Sequence, residues 1–199
     1  MRPAISAAQE LALRRRYDAC LAQILIWSEE IASPDEFVLL SLAKIGETAS
    51  VSRAYIFRFD YPARRIRNTH EWTAPGMPAL LGLEVGFDEF PFWVAQLQAG
   101  RMIVGSEIRR DLPAEVHEIL TLQDIVSILV GPVRLGRRVP GHQVWGFLGL
   151  DECTALREWS PVEIELFGCL CRAMGACLER SGLGAVTTPA ASERQIPAS

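Results

Sequence analysis

The sequence predicts an α+β fold, with an antiparallel sheet of about five to six strands, terminal helices packed on one face, and a partly helical excursion covering a pocket on the other. Three observations carry this expectation. Well-capped amphipathic stretches stand at both ends of the chain, and two pairs of β-rich runs lie between them. About fifty residues, Ala74 to Ile125, separate the two pairs, too many for a structureless loop inside a compact domain.

From Gln9 to Ile31 apolar residues recur at helical spacing, at Leu13, Tyr17, Cys20, Leu21, Ile24, Trp27 and Ile31, which predicts one long amphipathic helix. A new start follows in SPDE: Ser33 can cap, Pro34 suits the first helical position and Glu36 can reach back. A second helix is therefore expected through Phe37, Leu40 and Ile45 to about Ser50. RAYIFRFD and RIRNTHEWT, joined by YPAR, read as a first hairpin. In the excursion we expect a short helix from Asp88 to Gln98, a brief strand over 101–105 and a helix from Pro113 to about Leu122. The runs at 126–136 and 142–152, separated by Gly136, Pro140 and Gly141, read as a second hairpin, central because both strands are apolar on both faces. Ser160, Pro161 and Glu163 repeat the cap chemistry and launch a last helix to about Ser181. The expected organisation is an N-terminal helix at 1–32, a domain at 33–181, and a mobile tail at 182–199 that lacks the apolar content to fold alone.

The 199 residues are 49% apolar and suffice for one domain with helical extensions. A net charge of −4 offers no general attraction for phosphate backbones or anionic lipid, and the arginine groups 14–16, 64–67, 109–110 and 137–138 are dispersed among acidic residues; neither nucleic acid nor a membrane is expected as partner. The start lacks the apolar core of a signal peptide, and 20–28 is too short to span a bilayer, so a cytoplasmic location is expected. Five cysteines, four of them between 153 and 177, fit reduced thiols and no disulfide framework.

No Gly-x-Ser-x-Gly elbow, phosphate loop or His-Glu-x-x-His motif is present, so no catalysis is expected; Glu71, His70 and Glu107 are the only candidate bases. His70, His117 and His142 fall in separate elements without ligand spacing, which argues against a metal site. Cys169 and Cys171, two apart on a helix, point to opposite sides and read as packing residues. By strict alternation His70 shares a buried face with Ile66, Asn68 and Trp72. Internal hydrogen bonding explains such an imidazole more simply than haem ligation, which is the sharper alternative. Phe90, Phe92 and Trp93 form an aromatic cluster expected to roof the pocket, with Tyr55, Phe57, Trp145 and Phe147 as its floor; core packing and contact with a ring-shaped ligand are equally open readings. The run LFGCLCRAMGACL is apolar around almost its whole circumference. One sheet cannot cover it; the first helix can cover part and a second copy of the chain the rest, which predicts a parallel homodimer through both terminal helices.

The SPDEFVLLSLAKIGE helix running into VSRAYIFRFD, the NTHEWTAPG segment, EFPFWVAQLQAG, SILVGPVRLG and VWGFLGLDECTALREWSPVEIELF together resemble the GAF family of small-molecule sensor domains, over about residues 34 to 180. The resemblance implies a regulatory domain of bacterial signal transduction, including two-component systems, with a pocket between sheet and excursion. The expected ligand-lining residues are Tyr55, Phe57, His70, Trp72, Phe90, Phe92, Trp93 and Trp145. It further implies an unidentified small-molecule ligand, with no cofactor that the sequence can name, and an output domain or partner protein such as a histidine kinase or diguanylate cyclase. Ligand binding would bias the terminal-helix bundle; a dimerisation module with a self-filled pocket is the alternative. The family's bilin-attaching and sulfoxide-reducing branches use cysteines around the pocket, and none lies between Cys20 and Cys153. The cyclic-nucleotide signature is not recognisable.

Overall fold

A computed structural model describes residues 6–136 and 144–181. The expected tail at 182–199, His142, and Arg137–Arg138 lie outside the described residues. Helix α1 (Ala7–Glu30) opens with a reciprocal cap in which the Ser6 hydroxyl accepts from the Gln9 amide and the Gln9 side chain accepts from the Ser6 amide. Helix α2 (Pro34–Ala49) starts on the Ser33 cap with proline in its first turn, as its sequence predicts.

Six strands then form one antiparallel sheet in the order β3-β2-β1-β6-β5-β4. They are β1 (Arg53–Asp60), β2 (Arg65–Thr73), β3 (Glu84–Gly86), β4 (Ile103–Gly105), β5 (Ser127–Val133) and β6 (Gly146–Glu152). β1 and β6 are central, and the two hairpins join edge to edge into one platform. Between them the excursion contributes β3, helix α3 (Pro91–Gln98), β4, a short helix α4 (Ile108–Asp111), a single 3-10 turn and helix α5 (His117–Leu122). Three details differ from expectation. α3 begins at Pro91 rather than Asp88, because proline suits a first turn and cannot follow inside one. The three-residue β3 and one-turn α4 are too short to show a period. The regular β5–β6 ladder ends at Gly146, so 144–145, expected in the strand, precede it, while 142–143 lie outside the described residues.

The sheet separates two cores. Tyr17, Ile24, Phe37, Leu42, Ile56, Leu129, Leu148, Leu150, Phe167 and Met174 belong to the layer between the sheet and helices α1, α2 and α6 (Pro161–Ser181). Tyr55, Phe57, Phe59, Ile66, Trp93, Leu97, Val116, Ile128, Val130 and Phe147 form the second layer, beneath the excursion. Alternation along β1 places Ala54 and Ile56 in the first core and Tyr55, Phe57 and Phe59 in the second. The large apolar side chains of α6, Leu166, Phe167, Leu170, Met174 and Leu178, are all buried within one chain with α1 lying along it, so α1 supplies more of the cover than the part the sequence assigned to it. On the helices of this layer, the large apolar side chains left in solvent are Leu11, Leu25 and Ile26 of α1 and Leu39 and Leu40 of α2.

Candidate functional site

One irregularity decides what faces the space under the excursion. Along the β1–β2 ladder Ile56 pairs with His70 but Phe57 pairs with Asn68, so Thr69 is an extra residue and the register shifts. Such a bulge reverses the side-chain alternation of everything beyond it. Ile66 and Asn68 therefore face the excursion, and after the bulge it is Glu71 that does so. His70 and Trp72 turn to the helix layer. His70 Nε2 lies 3.0 Å from Asp35 Oδ1 at the start of α2, and Nδ1 lies 3.0 Å from the Thr69 hydroxyl. Trp72 packs on α2 at Gly46, where an added Cβ would sit 2.2 Å from the indole ring.

Between sheet and excursion lies a cavity of about 40 Å³ lined by Tyr55, Phe57, Ile66, Asn68, Glu71, Leu80, Phe90, Trp93, Leu120, Gln123, Phe147 and Asp151, with further apolar residues. Phe57 and Phe147 stack with ring centroids 5.0 Å apart, and Phe90 tilts against Trp93 at 5.2 Å. Of the eight expected lining residues, Tyr55, Phe57, Phe90 and Trp93 come together here. Phe92 packs on the rim of the roof core against Trp93, 5.9 Å between centroids. Trp145 precedes the regular ladder and belongs to the helix-side core, with the Arg58 guanidinium 5.8 Å from its ring centroid. Strict alternation thus fails for three residues, at the bulge for His70 and Trp72 and at the strand's end for Trp145.

Beneath the aromatic lining is a polar centre. Arg53 and Asp151, paired across β1 and β6, are each 1% exposed, with Nε 3.3 Å from Oδ2. The Tyr55 hydroxyl donates to Asp151 Oδ1 at 2.7 Å. It reaches there because Gly149 has no side chain: a Cβ at that position would lie 2.1 Å from the tyrosine ring. Arg53 also donates to the Gln123 carbonyl at 2.7 Å, the Pro78 carbonyl at 3.4 Å and Cys153 Sγ at 3.1 Å, so one guanidinium ties the sheet to two segments of the roof. Burial pushes the Asp151 carboxyl up to about 7, against the opposing pull of Arg53 and Tyr55. Burial also raises Glu71, whose Oε2 accepts from the Leu80 amide at 2.7 Å and from Asn68 Nδ2 at 3.3 Å. Two oxygens here, Asn68 Oδ1 and Glu71 Oε1, are buried with no donor.

Arg53, Asn68 and Asp151 are absent from the sequence-based site. A signal for two of them existed: Arg53 and Asp151 stand at the ends of the two strands that the sequence places among apolar runs, where a lone buried charge is prohibitively costly and a pair is not. Of the candidate bases, Glu71 reaches the cavity, His70 does not, and Glu107 stands at the start of α4 with its carboxylate 3.3 Å from the Arg110 guanidinium. Among the described residues no group of three or more His, Cys, Asp or Glu side chains is placed to hold a metal ion. No described helix is long and apolar enough to cross a membrane.

A model of the GAF domain matches residues 33–178. The chain belongs to the GAF domain family. It is 30% identical over 169 residues to the methanogenesis regulatory histidine kinase FilI of Methanothrix harundinacea (strain 6Ac), an alignment covering 81% of this chain and 18% of that protein. The chain thus spans about a fifth of that relative's length. Among solved structures, the phycocyanobilin-bound GAF domain of a cyanobacterial phytochrome aligns over 84% of this chain and 96% of its own, with a TM-score of 0.72 at 18% identity. The GAF domain of an Acinetobacter phosphoenolpyruvate-protein phosphotransferase aligns over 84% and 95%, with a TM-score of 0.64 at 13% identity. GAF domains are sensory and regulatory units of signalling proteins, and the fold just described is theirs.

Proposed function

We propose that this GAF domain is a non-catalytic, cytoplasmic sensor that takes a small molecule into the cavity between sheet and excursion and passes the event to a signalling output, such as a histidine kinase or a diguanylate cyclase. The observation that carries this is the cavity itself: a buried pocket whose wall holds polar oxygens without partners, in a protein interior where such groups are nearly always satisfied. Arg53 supplies the route outward, since it bonds both the strand that carries the ligand wall and the roof segments at Pro78 and Gln123. A ligand transmits only the affinity difference between two arrangements, about 1.4 kcal/mol for each factor of ten.

The ligand differs from those of the bilin-bound neighbours. No cysteine lines the cavity, and about 40 Å³ lies far below the roughly 300–1,000 Å³ that encloses a drug-sized molecule. Haem held through His70 is disfavoured too, because that ring faces α2. The small volume also supports a second reading, in which aromatic side chains fill the pocket and the domain serves only to associate. In either case a second copy of the chain would cover the outer face of α1, where Leu11, Leu25 and Ile26 are between 43% and 51% exposed.

A thermal-shift screen with nucleotides, haem and small aromatic compounds, together with mass and absorbance of whatever copurifies, tests the sensor. At least one compound is expected to raise the melting temperature. Failure of every compound, with the cavity closed in a crystal structure, supports the association module instead.

A further inference from the structure

We propose that the group received at the polar wall of this cavity is a compact cationic donor, an ammonium or amidinium on an apolar body, held by Asn68 Oδ1 and Glu71 Oε1. This rests on the reading of the cavity as a ligand site and adds the chemical class of the ligand. Asn68 is 1% exposed and lines the cavity, yet its carbonyl oxygen has no donor. Its orientation is not free: Nδ2 donates to Glu71 Oε2, and turning the amide over would set oxygen against carboxylate oxygen. Glu71 spends Oε2 on that amide and on the Leu80 N–H; the Leu81 N–H also draws on the carboxylate, but Oε1 makes no hydrogen bond of good geometry. Both leftover atoms are acceptors, so the complementary group is one that donates to both.

The charge balance points the same way. The ionisable carboxyls on the cavity wall are Glu71 and Asp151. The cation behind them, Arg53, already serves Asp151, two roof carbonyls and Cys153. The Tyr55 hydroxyl is committed to Asp151. A carboxylate or phosphate entering here would face two carboxyl groups, whereas a cation would pair with one. The rest of the wall is apolar, including Leu80, Leu83, Ile119 and Leu120. Leu81, next to Leu80, and Leu122, two residues beyond Leu120, are 62% and 78% exposed, an apolar margin suited to a hydrocarbon body.

Benzamidine, benzamide and benzoate share one ring and differ in the charge and donors of one substituent, so calorimetric titration and thermal shift with these three probes read the class directly. Benzamidine is expected to raise the melting temperature, benzoate to leave it unchanged, and benzamide to act more weakly than benzamidine. Glu71→Gln keeps the acceptor for the Leu80 amide and removes the charge; it is expected to weaken benzamidine about tenfold, the scale of one charge-assisted hydrogen bond. Asn68→Leu supplies the same readout should the first variant not fold. Equal or stronger stabilisation by benzamide or benzoate overturns the cationic class and leaves the cavity as a ligand site. Benzamidine binding that neither variant weakens overturns the assignment to these two oxygens. Failure of all three probes at millimolar concentration overturns the cationic class, while the ligand-site reading falls only with the broader screen and a closed cavity.

Discussion

Asp151 is the residue on which most of the site's behaviour turns. Its folded carboxyl titrates near 7 against an ordinary value of 3.8, raised by burial. Across that interval the folded chain holds a proton that the unfolded chain has released, so stability falls as pH rises from about 4 towards 7 and levels off above. Glu71, raised for the same reason, contributes in the same direction. The expected observation is a melting temperature that declines between pH 5 and 7.5, with a shallower decline in Asp151→Asn; equal slopes in the two proteins would contradict it. Its partner gives the second prediction. Removing Arg53 as Arg53→Met leaves a buried carboxyl without its cation and frees two roof carbonyls, and the loss is expected to be about 3–5 kcal/mol in urea titration. A loss below 1 kcal/mol would mean that the pair contributes little to the folded state.

At the scale of elements, the sheet is set by helices that stand close to it. Gly46 on α2 would gain about 1 kcal/mol of helix propensity on becoming alanine. Its Cβ would, however, lie 2.2 Å from two carbons of the Trp72 ring. A rigid indole cannot yield that distance without moving the helix, so Gly46→Ala is expected to destabilise by about 1–3 kcal/mol. Combining it with Trp72→Leu should recover part of the loss in a double-mutant cycle; strict additivity would show that the two side chains do not meet. The same contact explains what could and could not be read from the chain. Caps at Ser33 and Ser160, helical periods and paired β-rich runs announced α1, α2, α6 and four strands, because each signal is local. The bulge at Thr69 left no such mark in RIRNTHEWT, since one extra residue depends on the partner strand, and it alone exchanged His70 and Trp72 for Glu71 in the cavity. β3, with three residues, acquires its identity only by pairing with Arg65–Arg67.

For the molecule as a whole, the question is where the folding unit begins. The family match starts at residue 33, and the sequence reading separated 1–32 as an extension. The packing argues for a larger unit. Tyr17, Cys20 and Ile24 of α1 are at most 2% exposed, and they share one core with Leu170, Met174 and Cys177 of α6. The Tyr17 hydroxyl donates to the buried Glu163 carboxylate at 3.0 Å, a group also held by Arg157 at 2.6 Å. Without α1 that carboxylate loses a donor, and the α6 side chains that α1 covers meet water at about 1.5–3 kcal/mol for each large one. Two or three such exposures match the net stability of a typical domain. Deleting residues 1–32 is therefore expected to abolish cooperative unfolding and produce aggregation, whereas Tyr17→Phe costs only about 1 kcal/mol. A truncated chain that stays monodisperse and melts cooperatively would show that α1 is an appendage. If α1 is instead integral, any ligand-driven shift of the sheet relative to α6 must move α1 with it. The outer face carrying Leu11, Leu25 and Ile26 would then be where a second copy or an output domain senses the change.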